Sequence, residues 1–212
     1  MVAEADPKRI VARGYDEVAE RYLEWHAGPD ATTAWFLDEV DARTPGGAVV
    51  LDLGAGAGVP VTRRLARGRD VIALDISWRQ LSLARSLVPD ARLVMADVTN
   101  LPVRFSAVDA VVAFYCFVHV PKAEQPPTLR AAASCLRPGG LFAANFGTGG
   151  SDDSIQGDWL GVPMFFASHS PQQNDDMVRD AGLQIQLSEV RSIEEDGESV
   201  EFHWIIATSP AR

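Results

Sequence analysis

The sequence has 212 residues, of which 47% are hydrophobic and 23% are charged, and its formal net charge is −10 at pH 7. A chain of this size can bury the core of one α/β domain. Proteins that bind a phosphate backbone usually carry a basic face. The arginine cluster at 63–69 lies on and just after a predicted helix, and we interpret it as a solvated surface. We therefore expect no nucleic-acid partner.

The chain shows no apolar run of the roughly 18–20 residues that a membrane span requires, since Asp109 and His119 interrupt the longest one. Its first residues are acidic and lack the apolar centre of a secretory signal. Cys116 and Cys135 lie in apolar surroundings, as free thiols do in a reducing compartment; a disulfide or a catalytic thiol is the alternative. We expect a cytoplasmic protein without a membrane partner, either a monomer or a homodimer. The shortage of lysine among the 19 basic residues is typical of GC-rich bacterial genomes.

Two helices are predicted at the start of the chain. Apolar residues recur at spacings of three and four over 10–25, a pattern typical of an amphipathic helix that Gly28-Pro29 would end. A second helix is expected over 32–42. We predict that residues 1–45 form a helical cap segment of a single domain whose main part is 46–212.

Strands and helices then alternate regularly. The predicted strands are 49–53, 70–74, 92–96, 108–114 and 141–145, and the helices between them are 59–66, 78–87 and 123–136. Short, nearly continuous apolar strands separated by helices are typical of a parallel sheet that is covered on both faces.

The last part of the chain has a different pattern. Ser170-Pro171-Gln172-Gln173 combines an N-cap, a proline at the first helical position and a capping-box glutamine, so a helix is expected from there to Ala181. Two apolar segments, 183–190 and 199–208, flank a charged turn at 194–198. They predict an antiparallel hairpin at the end of the sheet.

A glycine-rich loop, Gly54-Ala55-Gly56-Ala57-Gly58, follows the first strand and precedes a helix. Glycines at this place allow a tight turn and a close approach of a ligand to the backbone at a helix N-terminus. Val59 stands where the third glycine of a dinucleotide-binding G-x-G-x-x-G motif would be, and Asp52 precedes the first glycine by two residues. Both details argue against a nicotinamide cofactor.

Two carboxylates end the next two strands. Asp75 can accept hydrogen bonds from both hydroxyls of a ribose, although a helix-capping role is the alternative. Asp97 lies over the same crevice and can accept from an exocyclic amine such as that of adenine. Because nicotinamide enzymes also use an acid at the position of Asp75, Asp97 separates the two kinds of cofactor better.

With these motifs in this order, the chain resembles class I methyltransferases that depend on S-adenosylmethionine (SAM), of the small stand-alone kind. The matching segments are 52–58, Asp75, Asp97, the strand 109–115, Leu136-Arg137-Pro138-Gly139-Gly140, the terminal hairpin, and Tyr15 to Tyr22, which fits a Y-D-x-x-A-x-x-Y pattern. The resemblance covers nearly the whole chain. It implies a Rossmann-like α/β fold: a seven-stranded, mostly parallel sheet with an antiparallel C-terminal hairpin, helices on both faces and an N-terminal helical cap.

The resemblance also implies SAM as the cofactor and assigns residues to it. The glycine loop would face the methionine part, Asp75 the ribose, and Asp97 with the Val98 backbone the adenine edge. The implied cofactor-binding residues are Tyr15, Tyr22, Asp52, Gly54, Ala55, Gly56, Gly58, Asp75, Ile76, Asp97, Val98 and Phe114.

Methyl transfer from a sulfonium is a direct displacement in which an existing positive charge disperses, so the protein mainly aligns the reactants and excludes water. Aromatic faces suit a sulfonium, and the tyrosines are candidates for such a wall; core packing is the alternative. A hydroxyl acceptor would need a general base, for which His119 and His169 are candidates. The candidate catalytic residues are therefore Tyr22, Tyr115, His119 and His169.

The methyl acceptor is less well defined by the sequence. After the fourth strand, Phe114-Tyr115-Cys116-Phe117 lacks both the Asn/Asp-Pro-Pro run of amide- and adenine-methylating relatives and the Asp of metal-dependent catechol enzymes, so no metal is expected. We predict that 147–169 is a lid whose Trp159 and Phe165 face a small organic acceptor, methylated on O or N; an ordinary surface cover is the alternative. A SAM-binding fold relative without methyl transfer and a nicotinamide oxidoreductase are the competing functions.

Overall fold

The structure is a computed structural model that describes residues 6–25, 30–150, 152–195 and 197–211. The helices in this part of the chain are α1 (Pro7–Trp25), α2 (Ala31–Arg43), α3 (Val61–Leu65), α4 (Trp78–Leu87), α5 (Gln125–Cys135) and α6 (Pro171–Asp180). The strands are β1 (Val49–Leu53), β2 (Asp70–Asp75), β3 (Arg92–Met95), β4 (Val108–Ala113), β5 (Leu136–Gly147), β6 (Ser154–Trp159), β7 (Val162–Phe166), β8 (Gln184–Glu195) and β9 (Glu198–Thr208). The expected helix end at Gly28-Pro29 lies outside the described residues.

The main sheet has seven strands in the order β3-β2-β1-β4-β5-β9-β8. Strands β1 to β5 pair in parallel, whereas β9 is antiparallel to both β5 and β8. This confirms the predicted fold class. None of the described helices is long and apolar enough to cross a membrane.

Apolar side chains cover both faces of this sheet because the parallel strands are apolar along nearly their whole length. One face packs on α5 and α6 through residues such as Leu129 and Val178. The other face packs on α2 and α3, where Phe36 and Leu65 are fully buried. Since α2 belongs to this core, the predicted domain boundary at residue 46 stays a prediction.

The C-terminal hairpin is longer than the sequence pattern predicts. Its strands extend to Glu195 and from Glu198, so most of the predicted charged turn at 194–198 is strand. The ends of these strands are exposed. Charged side chains are compatible with strand pairing when they point to solvent, which is why composition alone predicted too long a turn at the correct place.

The segment 147–169 contains a second, two-stranded sheet formed by β6 and β7, which the sequence analysis did not predict. Its turn is Leu160-Gly161, and both residues have positive φ. This is the conformation that favours glycine in two-residue hairpins. The glycine of the Leu160-Gly161 pair, between Trp159 and Val162, was therefore a sequence feature that could have indicated this turn. We call residues 154–166 the lid hairpin.

Candidate functional site

Two joined crevices open at the carboxyl ends of β1, β2, β3 and β4, where ligands bind in open parallel sheets. Both are lined by Tyr22, Gly54, Gly56, Phe114 and Tyr115. The first is also lined by Tyr15, Asp75, Ile76, Asp97, Val98 and His119, and the second by Asp52 and Ala55.

The three loop glycines differ in their surroundings, although all have positive φ. A Cβ at Gly54 would lie 2.9 Å from Cys116 Cβ, and one at Gly58 would lie 2.8 Å from a methyl group of Val88. A Cβ at Gly56 would meet only Gln80 Oε1, at 3.7 Å. Gly58 lies outside both crevices, so close packing explains it better than the predicted contact with a cofactor, whereas Gly56 keeps its side of the first crevice open.

Asp75 and Asp52 are buried carboxylates at the ends of neighbouring strands. Asp75 accepts hydrogen bonds from the backbone N–H groups of Gly56 and Ser77, each at 2.8 Å. Asp52 accepts from the Thr62 hydroxyl at 2.6 Å. Desolvation raises the pKa of Asp75 to about 6 and that of Asp52 to about 7. A positively charged ligand would favour the ionised form of both.

Asp97 lies at the rim of the first crevice and is paired with Lys8 of α1. The Lys8 ammonium lies 3.2 Å from Asp97 Oδ2 and 2.6 Å from Glu124 Oε2, and it donates to the Thr99 hydroxyl at 2.8 Å. This contact brings the start of α1 to the crevice. The sequence analysis missed Lys8, since nothing in the local pattern relates a residue of the first helix to the third strand.

Gln80 is a second residue that the sequence analysis missed. It lies in the first turn of α4, is 1% exposed and lines the first crevice. Both polar atoms of its carboxamide lack a hydrogen-bond partner among the described residues. A buried amide without partners costs free energy, so this side chain is suited to a polar ligand in the crevice.

Tyr115 has a positive φ of 55°, a conformation that is uncommon for a bulky residue and frequent at functional sites. Its backbone N–H donates to the buried Asn145 side chain at 2.6 Å. Its hydroxyl lies 2.7 Å from the Thr33 hydroxyl, which donates to Asp30 at 2.6 Å. Because that bond uses the Thr33 proton, Tyr115 donates to Thr33. Its ring is thereby fixed in the wall of both crevices.

Tyr15, Tyr22 and His119 form the side of the first crevice that faces the lid hairpin. The Tyr15 hydroxyl lies 2.7 Å from His119 Nε2, and His119 Nδ1 lies 2.8 Å from the Phe165 carbonyl oxygen. The rings of Tyr15 and Tyr22 pack edge to face, with their centroids 5.2 Å apart. Burial lowers the pKa of His119 to about 4 and raises the pKa of both tyrosines, so all three side chains are uncharged at neutral pH.

A wide groove lies between the lid hairpin and the C-terminal hairpin. Trp159 lines it and packs on Tyr15 and Tyr22, with ring centroids 5.5 and 5.7 Å apart. Its other lining residues include the aromatic side chains Trp25, Phe166 and Phe202 and the acids Asp158, Glu195, Glu198 and Glu201. Trp159 therefore lies where the groove adjoins the tyrosine side of the first crevice.

Two residues are not placed as the sequence predicts. The Phe165 side chain is 2% exposed and packs in a cluster with Val11 and Met164, so it does not face an acceptor; the next residue, Phe166, lines the groove instead. His169 lines neither crevice nor the groove and lies near Lys122 and Gln173. The alternation of side chains along β7 and the position of His169 after the hairpin explain these corrections.

The comparisons with known proteins agree with this geometry. Residues 50–140 match the family model described as a methyltransferase domain. A bifunctional biotin biosynthesis protein of Cellvibrio japonicus is 33% identical over 150 residues, which are 70% of this chain and 29% of that protein. The chain spans less than half the length of the first curated relatives that it matches.

Two solved structures share the fold with low sequence identity. A magnesium protoporphyrin IX methyltransferase from Synechocystis PCC 6803, solved with bound SAM, has a TM-score of 0.73, is 16% identical, and is covered to 100% by 99% of this chain. A [4+2]-cyclase has a TM-score of 0.73 at 19% identity, with 95% of each chain covered.

These findings agree with the resemblance found in the sequence: residues 50–140 match the methyltransferase-domain model, and the chain has the predicted Rossmann-like fold. The matched segment runs from the second residue of β1 into the first residues of β5, and it includes the glycine loop, Asp75 and Asp97. The roles of single residues stay predictions.

We predict that Gly56→Ala and Gly58→Ala separate ligand binding from packing. Both place a side chain in the left-handed region, at a cost of about 1–2 kcal/mol. At Gly58 the overlap with Val88 adds about 1–3 kcal/mol, so this variant should lose more stability in chemical denaturation. Gly56→Ala should lose more SAM affinity in calorimetry, because its new methyl group enters the crevice. If Gly56→Ala bound SAM like the unaltered protein, the ligand would lie elsewhere.

Proposed function

We propose that this chain is an enzyme that transfers the methyl group of SAM to an oxygen or nitrogen atom of a small organic molecule. One observation carries the proposal: the glycine loop, two buried carboxylates and an aromatic wall line two adjoining crevices at the carboxyl edge of the sheet. A cytoplasmic bacterial protein without a nucleic-acid or membrane partner belongs to the same proposal. The net charge of −10 supports the absence of a nucleic-acid partner.

The residues of the crevices fit SAM. The unpartnered amide of Gln80, the open side of Gly56 and the raised pKa of two carboxylates all favour a polar, cationic ligand. We assign Asp75 and Gln80 to the ribose, Ile76, Asp97 and Val98 to the adenine, and Asp52 with the backbone of Gly54, Ala55 and Gly56 to the methionine part.

When bound, SAM supplies a methyl group on a positively charged sulfur. The faces of Tyr15, Tyr22 and Phe114 stabilise positive charge on that side of the crevice. Their neighbours Tyr115 and Trp159 reduce the access of water. The protein thus contributes alignment and water exclusion, which are the main requirements of a direct displacement.

The acceptor is assigned to the groove beyond Trp159. Its aromatic lining favours a planar apolar body, and its carboxylates attract a cationic group through the local potential. These features favour an amine that carries an aromatic body among small organic acceptors. The other candidate function, a fold relative that performs a different reaction, is favoured by the fold that the chain shares with a cyclase.

The experiment that tests the function combines binding and turnover. SAM is titrated by calorimetry, and release of S-adenosylhomocysteine is measured with a panel of aromatic amines, phenols and carboxylic acids. We expect binding and release with at least one amine. Asp75→Ala, the control, should weaken SAM binding by about 2–4 kcal/mol. If SAM bound but no compound of the panel gave S-adenosylhomocysteine, the fold relative with a different reaction would be favoured. If SAM did not bind, both candidate functions would be contradicted.

We predict that SAM affinity rises between pH 5.5 and 8. The pKa of Asp52 is about 7 and that of Asp75 about 6, and their ionised forms bind a cationic ligand better. Affinity should therefore fall as the pH drops through these values. Asp52→Asn keeps an acceptor for the Thr62 hydroxyl. In this variant the slope of the logarithm of SAM affinity against pH should be smaller by up to one unit, which corresponds to one proton. The titration of SAM itself is common to both proteins, so equal slopes would remove Asp52 from the ligand site.

We predict that Trp159→Ala raises the KM for the acceptor and leaves SAM affinity nearly unchanged, because Trp159 lines the groove and not the SAM crevices. Loss of a large aromatic side chain costs up to about 3–5 kcal/mol of stability, so thermal unfolding is measured first. Trp78→Ala, at a half-exposed site on α4, serves as the matched control. Weaker SAM binding with unchanged acceptor kinetics would assign Trp159 to the cofactor.

A further inference from the structure

The hydrogen bonds of His119 have only one consistent direction. A carbonyl oxygen can only accept, so the 2.8 Å contact with Phe165 requires a proton on His119 Nδ1. The uncharged ring then has a lone pair on Nε2, and the Tyr15 hydroxyl donates to it over 2.7 Å. A phenol has one proton. The Tyr15 oxygen therefore offers only lone pairs to its other neighbours.

This direction argues against the predicted role of His119 as a general base. Its Nε2 lone pair already holds the Tyr15 proton in a hydrogen bond, so an acceptor has no direct access to it. Moving a proton through Tyr15 would leave a charged imidazolium among Tyr15, Trp159 and Phe166, whose rings surround it. Burial of that charge is unfavourable.

We propose that His119 is a positioning residue that links the lid hairpin to the methyl-transfer side of the crevice. The backbone carbonyl of Phe165 in β7 fixes the His119 tautomer, and His119 fixes the Tyr15 hydroxyl. The oxygen of Tyr15 is thereby held as an acceptor in the wall of the crevice that we assign to the sulfonium. The C–H groups next to a sulfonium are polarised and are weak hydrogen-bond donors, so this oxygen can accept from them. This inference rests on the proposed function.

The test compares His119→Gln with His119→Phe. A glutamine amide can donate to the Phe165 carbonyl and accept from Tyr15, as the histidine does, but it cannot take up a proton near neutral pH. With the acceptor found in the panel, His119→Gln should keep kcat within about threefold, whereas His119→Phe should lower kcat at least about tenfold with little change in KM. Equal loss in both variants would identify a general base and overturn the proposal, and so would a fully active His119→Phe.

A double-mutant cycle tests whether Tyr15 acts through the same link. Tyr15→Phe should lower kcat to a similar extent, and the combination with His119→Phe should lower it no further, because both changes break one connection. Additive losses would show that the two residues act separately and would contradict the proposal.

Amide hydrogen exchange of residues 154–166 provides a measurement that requires neither SAM nor acceptor. Exchange should be faster in His119→Phe and close to that of the unaltered protein in His119→Gln, since only the former loses the bond to β7. This pattern in a protein that does not bind SAM would refute the proposed function and retain the link to the lid. Unchanged exchange in His119→Phe would refute the link itself.

Discussion

The reversal of strand order between β1 and β4 is the constraint on which the site depends. The chain runs outward from β1 to β2 and β3, then returns to place β4 on the other side of β1. The connections that leave the carboxyl ends of β1 and β4 therefore diverge, and a crevice opens between them. The glycine loop follows β1 and Phe114-Tyr115 follows β4, so both borders of the crevice come from this one step in the topology.

The unliganded crevice contains groups that are unfavourable for folding. Asp52 and Asp75 are desolvated carboxylates, Gln80 has a buried amide without partners, and Tyr115 has a left-handed backbone. Each costs stability in the free protein. A cationic ligand with hydroxyl groups would offset the first three costs, which is why these features support a ligand site better than a purely structural explanation does. The covering aromatic residues then lower the dielectric around the bound charge.

The sequence predicted the sheet and its central motifs because these depend on local patterns. Each of these patterns occupies only a few consecutive residues: the apolar strand segments, the glycine loop and the acids at strand ends. Together they carry the family resemblance, and that resemblance implied the arrangement of the sheet. Lys8, Gln80 and Thr33 were missed because their relation to the site arises from packing between distant segments. Phe165 was misplaced by one residue because a lid described only as apolar carries no strand register, and a one-residue error exchanges the two faces of a strand.

The groove that we assign to the acceptor lies largely outside the segment that the family model matches. That segment ends at residue 140, before the lid hairpin and the C-terminal hairpin, and it begins after α1 and α2. It carries the loop and the acids that we assign to SAM, a ligand common to the family. Most of the groove lining comes from segments after residue 140. A shared cofactor thus corresponds to the matched core, and the acceptor to segments that can vary without disturbing it. The Phe165–His119–Tyr15 contacts join these two parts, since they connect β7 to the turn after β4 and to α1. A change of acceptor specificity in the lid would therefore have to preserve one backbone carbonyl, whatever the side chains around it.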